Sequence, residues 1–324
     1  MISDYHRVIA TLVICTHRRA SALRATLENL RQQRVPDGLE PEVLIVENGV
    51  ADGTREVVAD CQGRPFPIAY YHLPAPGKSA ALNHAIAIAR GEVVLFADDD
   101  LRFHPEWLAA LALPIASGKC DGMTSRIVIP PHLRRSWMTP YHLAWLGSLP
   151  YRDPEHPDEI PGANMAVHRR VFQRVPAYDT ELGGGGLGNC EDSLFSRQLI
   201  AAGFRLGLAR EAPVEHHFQV TKLQYGQWIR NARAAGHSQA YLLHHWYHRS
   251  LQAPRARRIY LMVKLALRQS LRPRRNELEE GIPAWEMSYR HDIACCNQYL
   301  RERLLARKYD RLGLVKKTPL AAAA

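Results

Sequence analysis

The run Asp98-Asp99-Asp100 closes a buried-type apolar stretch, Val93-Val94-Leu95-Phe96. Three adjacent carboxylates repel and raise one another's pKa unless a cation compensates them. Asp98 and Asp100, two positions apart, can turn toward one divalent ion that also holds a diphosphate, as hard oxygen ligands do for Mg2+ or Mn2+. The plain alternative is a solvated acidic turn that caps the next helix. Glu191-Asp192 follows the glycine-rich turn at Gly183 to Gly188. A carboxylate there either caps the helix it opens or accepts a proton from a hydroxyl nucleophile within hydrogen-bond reach. Lys78, after Pro76-Gly77 at a helix start, suits a phosphate through its charge and the free N–H groups beside it, or is simply a surface lysine. His216-His217 adds imidazoles, which suit Mn2+ beside carboxylates better than Mg2+. Most of the sixteen histidines in the chain are nonetheless surface or core residues.

These residues need a scaffold that brings them to one edge. Val8 to Cys15, Val43 to Val46, Ile68 to His72 and Val93 to Phe96 are short apolar runs of strand length. Ser21 to Gln33, a segment starting at Asp52-Gly53-Thr54, and Lys78 to Arg90 with its stop at Gly91 read as helices between them. Strands alternating with helices imply right-handed crossovers and a mostly parallel sheet. Ligands of such sheets gather at the carboxyl ends of the strands, where the acidic and glycine-containing turns after Cys15, Val46 and Phe96 fall. Pro130 to Pro161, rich in Pro, Trp, Tyr and His, reads as a long loop or lid. Order resumes at Gly162 to Val167, and Ser193 to Ala202 is a helix. Past His217 the chain is Arg-, Tyr-, His- and Leu-rich, with helical spacing through about Arg311.

The chain has 324 residues, 46% hydrophobic and 23% charged, the composition of a globular protein. At roughly 150 residues per domain, one large or two modest domains are expected. Six scattered cysteines lack the spacing of a zinc site or disulfide framework, which points to reduced thiols in a cytoplasm. No run reaches the ~18 apolar residues needed to cross a bilayer, and the N-terminus lacks the basic flank and cleavage site of a signal peptide. Ala321 to Ala324 reads as a tail outside the fold. The net charge of +10 points to anionic partners without choosing among nucleic acid, phosphorylated substrate and lipid. P-loop, Rossmann, HExxH and GxSxG motifs are all missing, which removes the main support for kinase, dehydrogenase, zincin and hydrolase readings.

Taken in order, the motifs resemble those of the inverting glycosyltransferases of family 2, which have the GT-A fold. The resemblance runs from about Val8 to Gly236. It rests on Val13-Ile14-Cys15-Thr16-His17-Arg18-Arg19, Val46-Glu47-Asn48-Gly49 with Asp52-Gly53-Thr54, and Gly77-Lys78-Ser79-Ala80-Ala81-Leu82-Asn83. It continues through Phe96-Ala97-Asp98-Asp99-Asp100, Gly162-Ala163-Asn164-Met165-Ala166 with Arg169-Arg170, Glu191-Asp192, and Val214-Glu215-His216-His217. The resemblance implies an α/β GT-A nucleotide-diphospho-sugar transferase fold with a mostly parallel central sheet and a C-terminal helical extension. Residues 1–218 would form the catalytic domain, with the nucleotide-binding half near 1–100 and the acceptor-binding half near 101–218. A basic helical region would span 219–320, with a tail at 321–324.

The resemblance also implies roles. Thr16, Arg18, Glu47, Asn48, Lys78, Asn83, Asp98 and Asp99 would bind the nucleotide-sugar, with Thr16, Glu47 and Asn48 at base and ribose. Asp98 and Asp100 match the outer positions of a DxD motif that holds Mn2+ or Mg2+, and His216 matches a late histidine near that metal, with His217 the fallback. Asp192 would be the general base, supported by Glu191, and Asn164 and Glu191 would contact the acceptor. The implied reaction moves a sugar from a nucleoside-diphosphate donor to a hydroxyl of a glycan or lipid-linked glycan, in cell-surface polysaccharide or glycoconjugate synthesis. The family's first motif usually reads Thr-Tyr/Phe-Asn-Arg and its second begins with Asp; here they are Thr16-His17-Arg18-Arg19 and Glu47. The resemblance implies a UDP-sugar as the first donor, and these two departures in the base pocket leave GDP- and dTDP-sugars open. A sugar nucleotidyltransferase is the nearest competitor, but Thr16-His17-Arg18-Arg19 lacks its glycine-rich first loop. A non-catalytic nucleic-acid-binding or scaffold protein is the other alternative; no nucleic-acid motif supports it, so no nucleic-acid partner is expected.

From Arg255 to Arg275, Ile259, Met262, Val263, Ala266 and Leu267 recur at helical spacing among arginines. Packing of that apolar side on the catalytic domain, or on a second subunit in a homodimer, is the first expectation. Contact with an anionic membrane surface is the second, which would make a cytoplasmic protein peripheral to the inner face of the plasma membrane. Trp228, Tyr241, Trp246 and Tyr247 are expected in the core or an interface rather than on sugar faces.

Overall fold

A computed structural model describes residues 7–63, 66–149, 157–271 and 275–317. The chain divides into two units, each built from non-contiguous segments. The first unit comprises Met1–Arg134, Leu143–Thr180 and Glu191–Phe218. The second comprises Arg135–His142, Glu181–Cys190 and Gln219–Ala324.

In the first unit, four strands lie parallel in the order β3-β2-β1-β4: β1 (Val8–Thr16), β2 (Leu39–Asn48), β3 (Ile68–Leu73) and β4 (Val93–Ala97). β4 is buried along its whole length and β1 nearly so, as continuous apolar strands covered on both faces should be. Helices α1 (Ala20–Leu30), α2 (Thr54–Asp60) and α3 (Lys78–Ile88) form the crossovers. Leu23, Leu27 and Leu30 of α1 turn their stripe into the core with Leu12, Ile14 and Ile45. Each such fully buried side chain is worth about 1.5–3 kcal/mol relative to exposure.

The other half of the sheet is mixed rather than parallel. β5 (Leu101–Phe103), α4 (Trp107–Ala116), β6 (Gly122–Val128), α5 (Pro140–Trp145), β7 (Asn164–His168), α6 (Glu191–Ala201) and β8 (Leu206–His216) follow in chain order. The eight strands run β3-β2-β1-β4-β7-β6-β8-β5. β7 fills the open edge of β4 in the antiparallel sense and also pairs antiparallel with β6, while β6 and β8 are parallel and β5 opposes β8. The Pro130 to Pro161 stretch, expected as a loop, contains a 3-10 turn at Pro131–Leu133 and α5; residues 150–156 lie outside the described set.

Register decides what reaches the site. β1 sets Thr16 opposite Glu47 of β2 and Ile14 opposite Ala97 of β4. The residues that follow these strands therefore emerge at one edge.

The second unit is helical: α7 (Tyr225–Tyr241), α8 (Pro254–Ser270) and α9 (Ala284–Glu302). α7 continues into a π turn, Leu242–Trp246, which seats fully buried His245 against Glu302, Nε2 to Oε2 2.9 Å. Where α7 meets α9, a side chain at Gly236 would sit 2.2 Å from the His291 carbonyl oxygen, so only glycine allows that approach. Trp228, Tyr241 and Trp246 are buried and Tyr247 is half-buried. The Ile259–Leu267 stripe departs from the expected packing on this chain's own catalytic domain, and the exposure bears on that half of the expectation alone. α8 buries Leu261 and Pro254, but Ile259, Met262, Val263 and Leu267 are exposed, so among the described residues nothing covers the stripe.

Candidate active site

The three aspartates leave β4 together, and each has a cation from another element. Lys78, the first residue of α3, sets Nζ 3.0 Å from Asp98 Oδ1 and 3.6 Å from Glu191 Oε1. Arg19 places Nη1 2.7 Å from Asp99 Oδ1 and also pairs with Asp100. Thr16 Oγ1 donates to Asp99 Oδ2 at 2.7 Å, and Thr26 Oγ1 donates to the Asp99 carbonyl at 2.7 Å. Burial pushes the Asp99 carboxyl up to about 6 against the opposing pull of Arg19. Lys78 is the converse case: burial works against its charge, but Asp98, Glu191 and Asp192 outweigh that and hold its pKa well above the usual value. Lys78 thus couples the end of β4 to the start of α6.

At that start, Asp192 is oriented by main-chain donors. Gly162 N–H donates to Oδ2 at 2.8 Å and Ser193 N–H donates to Oδ1 at 2.8 Å. A Cβ at Gly162 would lie 2.9 Å from Asp192 Cβ, so the approach requires glycine. Glu191 is buried, and its carboxyl is pushed up to about 7 by that burial and then by the Asp192 charge, with Lys78 opposing. Glu159 joins them: Ser193 Oγ donates to its Oε1 at 2.5 Å, and burial followed by the Asp192 charge raises its pKa.

On the far side of the aspartates, Asn48 ties three chain ends. Its Nδ2 donates to the Thr16 carbonyl at 3.0 Å, and its Oδ1 accepts from Gly77 N–H at 3.0 Å. Glu47 is fully buried; Asp52 N–H donates to its Oε1 at 2.9 Å and Tyr70 Oη donates to its Oε2. The turn after β2 is therefore shaped from inside.

Several residues expected at the site sit elsewhere or are occupied. Arg18 has a left-handed backbone, φ 54°, and points to solvent, which turns the next residue, Arg19, toward the aspartates. The Asn83 amide is spent on the Tyr178 backbone, donating to its carbonyl at 2.9 Å and accepting from its N–H at 2.8 Å. Asn164 has no exposed surface; it accepts from Trp107 Nε1 at 2.8 Å and donates to Ser125 Oγ and its carbonyl at 2.9 Å. Of the two histidines, His216 faces Asp100, Nε2 to Oδ2 3.4 Å, whereas His217 faces Glu215 at 2.8 Å. Arg19 and Glu159 were not singled out by sequence. Nothing local separates Arg19 from Arg18 except the backbone turn, and Glu159 lies in a Pro-rich run without periodicity.

Whether these residues suit a divalent ion follows from their donors. His216 Nδ1–H donates to the Leu146 carbonyl at 2.8 Å, which directs Nε2 at the Asp100 carboxylate, the carbonyl-anchored orientation common to ligating imidazoles. Carboxylate with imidazole fits Mn2+. Among the described residues no group of three or more His, Cys, Asp or Glu side chains is arranged around one metal position, and Asp98 faces Lys78 instead. Asp100 and His216 are thus a two-donor set of the kind that relies on substrate phosphates to complete a coordination shell.

A family model described as glycosyl transferase family 2 matches residues 11–177, more than half of the chain. The chain belongs to glycosyl transferase family 2. Within the family, it is similar to glycosyltransferase AglE of Haloferax volcanii, 31% identical over 104 residues, 30% of this chain and 32% of that protein. The matched part thus spans about a third of that relative's length. The fold is shared with a mannosyltransferase, PcManGT of Pyrobaculum calidifontis, solved in complex with GDP-Man and Mn2+: TM-score 0.57, 20% identity, 91% of this chain and 87% of that one. It is shared too with GalNAc-T7, solved with UDP, GalNAc and Mn2+: TM-score 0.54, 17% identity, 75% of this chain and 49% of that one. The family 2 chain described here therefore has a mixed α/β GT-A fold followed by C-terminal helices.

Proposed function

We propose that this chain transfers a sugar from a nucleoside-diphosphate donor, with UDP-sugars first among the candidates, to a hydroxyl of a glycan or lipid-linked glycan, by one inverting displacement. The observation that carries the reading is the Lys78 link, which joins the aspartates after β4 to the carboxylate pair opening α6. Family membership supports it, as do nucleotide and Mn2+ in the solved GT-A proteins above. The chemistry then divides between the two groups. Asp192, aligned by two main-chain N–H groups, accepts the acceptor's hydroxyl proton as that oxygen attacks the anomeric carbon. Glu191, with its raised pKa and its Lys78 contact, supports Asp192 and contacts the acceptor. Thr16, Asn48 and the N-terminus of α3 line the nucleotide side. When bound, a divalent ion supplies a Lewis acid that offsets charge on the departing nucleoside diphosphate; Asp100 and His216 are the pair proposed to hold it, joined by Asp98 once the donor draws it from Lys78. Lys78 and Arg19 keep the aspartates compact and charge-compensated before the donor arrives.

The test is nucleoside diphosphate release from UDP-, GDP- and dTDP-sugars with Mn2+, for wild type and Asp98→Ala. Turnover of one donor, lost on chelation and in the variant, is the expected outcome. No binding of any donor would overturn the proposal. A second expectation concerns Gly162. Gly162→Ala forces Asp192 to shift and should lower kcat by about 10²-fold, with the thermal transition retained. Unchanged turnover would show that the Gly162 contact does not position Asp192.

A further inference from the structure

α8 carries an apolar stripe that the described residues leave uncovered. Ile259, Met262, Val263 and Leu267 are 57%, 51%, 53% and 61% exposed, and exposed Ala266 continues the same side. These positions recur every three or four residues, which on an α-helix is one continuous face. Leu271 extends it past the helix end at 85% exposure. Large side chains grouped like this mark a binding surface rather than the scattered exposure every protein shows.

The chemistry around the stripe selects the occupant. From His216 to Asn276 the sequence holds twelve Lys and Arg residues and no Asp or Glu. On α8 itself, Arg255 lies on the side of the stripe, while Lys264 and Arg268 lie on the polar side of the helix, toward α9. Lys264 Nζ lies 4.7 Å from the Tyr260 ring centroid, and the Arg268 guanidinium lies 5.2 Å from that of Trp285 and 5.4 Å from that of Tyr289. Arg255 is exposed at the helix start, while Arg257 is paired with Asp292 at 2.6 Å. A second copy seated on this face would bring no acid of its own from residues 216–276 to offset these cations. An aqueous anion would satisfy the cations and leave the apolar stripe in water. A surface that is apolar below and anionic above satisfies both.

We propose that α8 docks in the plane of a bilayer surface containing anionic phospholipid, with the Ile259–Leu267 stripe entering the acyl boundary and Arg255, Lys264 and Arg268 at the headgroups. Its 17 residues span about 26 Å at 1.5 Å per residue, and no helix among the described residues is long and apolar enough to cross a membrane. In-plane docking is the geometry that amphipathic helices of this kind adopt. The proposal is independent of the transfer reaction.

Flotation of the full chain with vesicles of phosphatidylcholine alone, or with about one-third phosphatidylglycerol, tests it. Binding should favour the anionic vesicles by about tenfold or more and weaken with salt. Replacing Ile259, Met262 and Leu267 together by Ser should lower that binding by about tenfold or more. Arg255→Gln with Arg268→Gln should reduce only the anionic preference. Because these side chains are exposed, circular dichroism and the thermal transition should match wild type. Four results would overturn the proposal: no vesicle binding, equal binding to both vesicles, stripe variants that bind like wild type, or a dimer in solution that the stripe variant converts to monomer. The last would make a second copy the occupant.

Discussion

Asp192→Asn is expected to lower kcat by about 10²–10⁴-fold while leaving donor affinity little changed. The amide keeps the size of the carboxylate, and its oxygen can still accept one of the two main-chain donors, Gly162 N–H or Ser193 N–H. What it loses is the capacity to take a proton. Donor affinity read by titration and kcat read by nucleoside diphosphate release separate these effects. A variant that loses donor affinity and kcat in parallel would assign Asp192 to binding instead. Glu191→Gln gives the matching control. With the Glu191 carboxyl pushed up to about 7, an activity that needs it ionised rises with pH through that region, and the glutamine variant removes that limb.

Arg19→Ala should destabilise the fold by about 3 kcal/mol at pH 8, the low end for a broken buried pair, because Arg19 keeps some contact with solvent. The guanidinium serves both Asp99 and Asp100, whose side chains are almost wholly buried, and alanine leaves two carboxylates without it. The pH dependence carries a sign. Asp99 titrates in the folded chain at about 6, above its ordinary 3.8. Between those values the folded chain holds more protons than the unfolded chain, so this group costs stability progressively as pH rises through the window. Without Arg19 the carboxyl is driven further up and the window widens. The difference between variant and wild type should therefore shrink on going from pH 8 to pH 5. Urea unfolding at the two pH values measures it, and a difference independent of pH would mean Arg19 acts through packing rather than charge.

The readable parts of this chain were those whose signal is local. β1, β2 and β4 are runs of Val, Ile and Leu bounded by turn residues, and α3 begins at Gly77-Lys78 as expected. β8 gave no such signal, because Leu206–His216 includes Arg210, Glu211 and Pro213 and alternates poorly between core and solvent. β6 buries Thr124 and Ser125, whose polarity hides a strand that only its neighbours complete. At the site, the acids were visible because they cluster in sequence. Their pairing with cations was not, since Arg19 and Lys78, the latter read as a phosphate contact, reach them across 81 and 20 residues. Asn164 shows the reverse error. A polar residue in a motif looks like a ligand contact until register places it behind Trp107 and Ser125.

The alternation of the two units along the chain bears on how such a protein can be divided. The helical unit owns Arg135–His142 and Glu181–Cys190 as well as everything after Phe218. Trp137 and His142 meet Trp228 edge to face at 6.3 and 5.7 Å, and His142 Nε2–H donates to the Ile282 carbonyl at 2.8 Å. A gene cut after residue 218 would leave both inserted segments behind without the helices they pack on. Modular exchange of C-terminal helices, the simplest way for a lineage to trade one acceptor or one location for another, is closed to this architecture unless three pieces of sequence move at once.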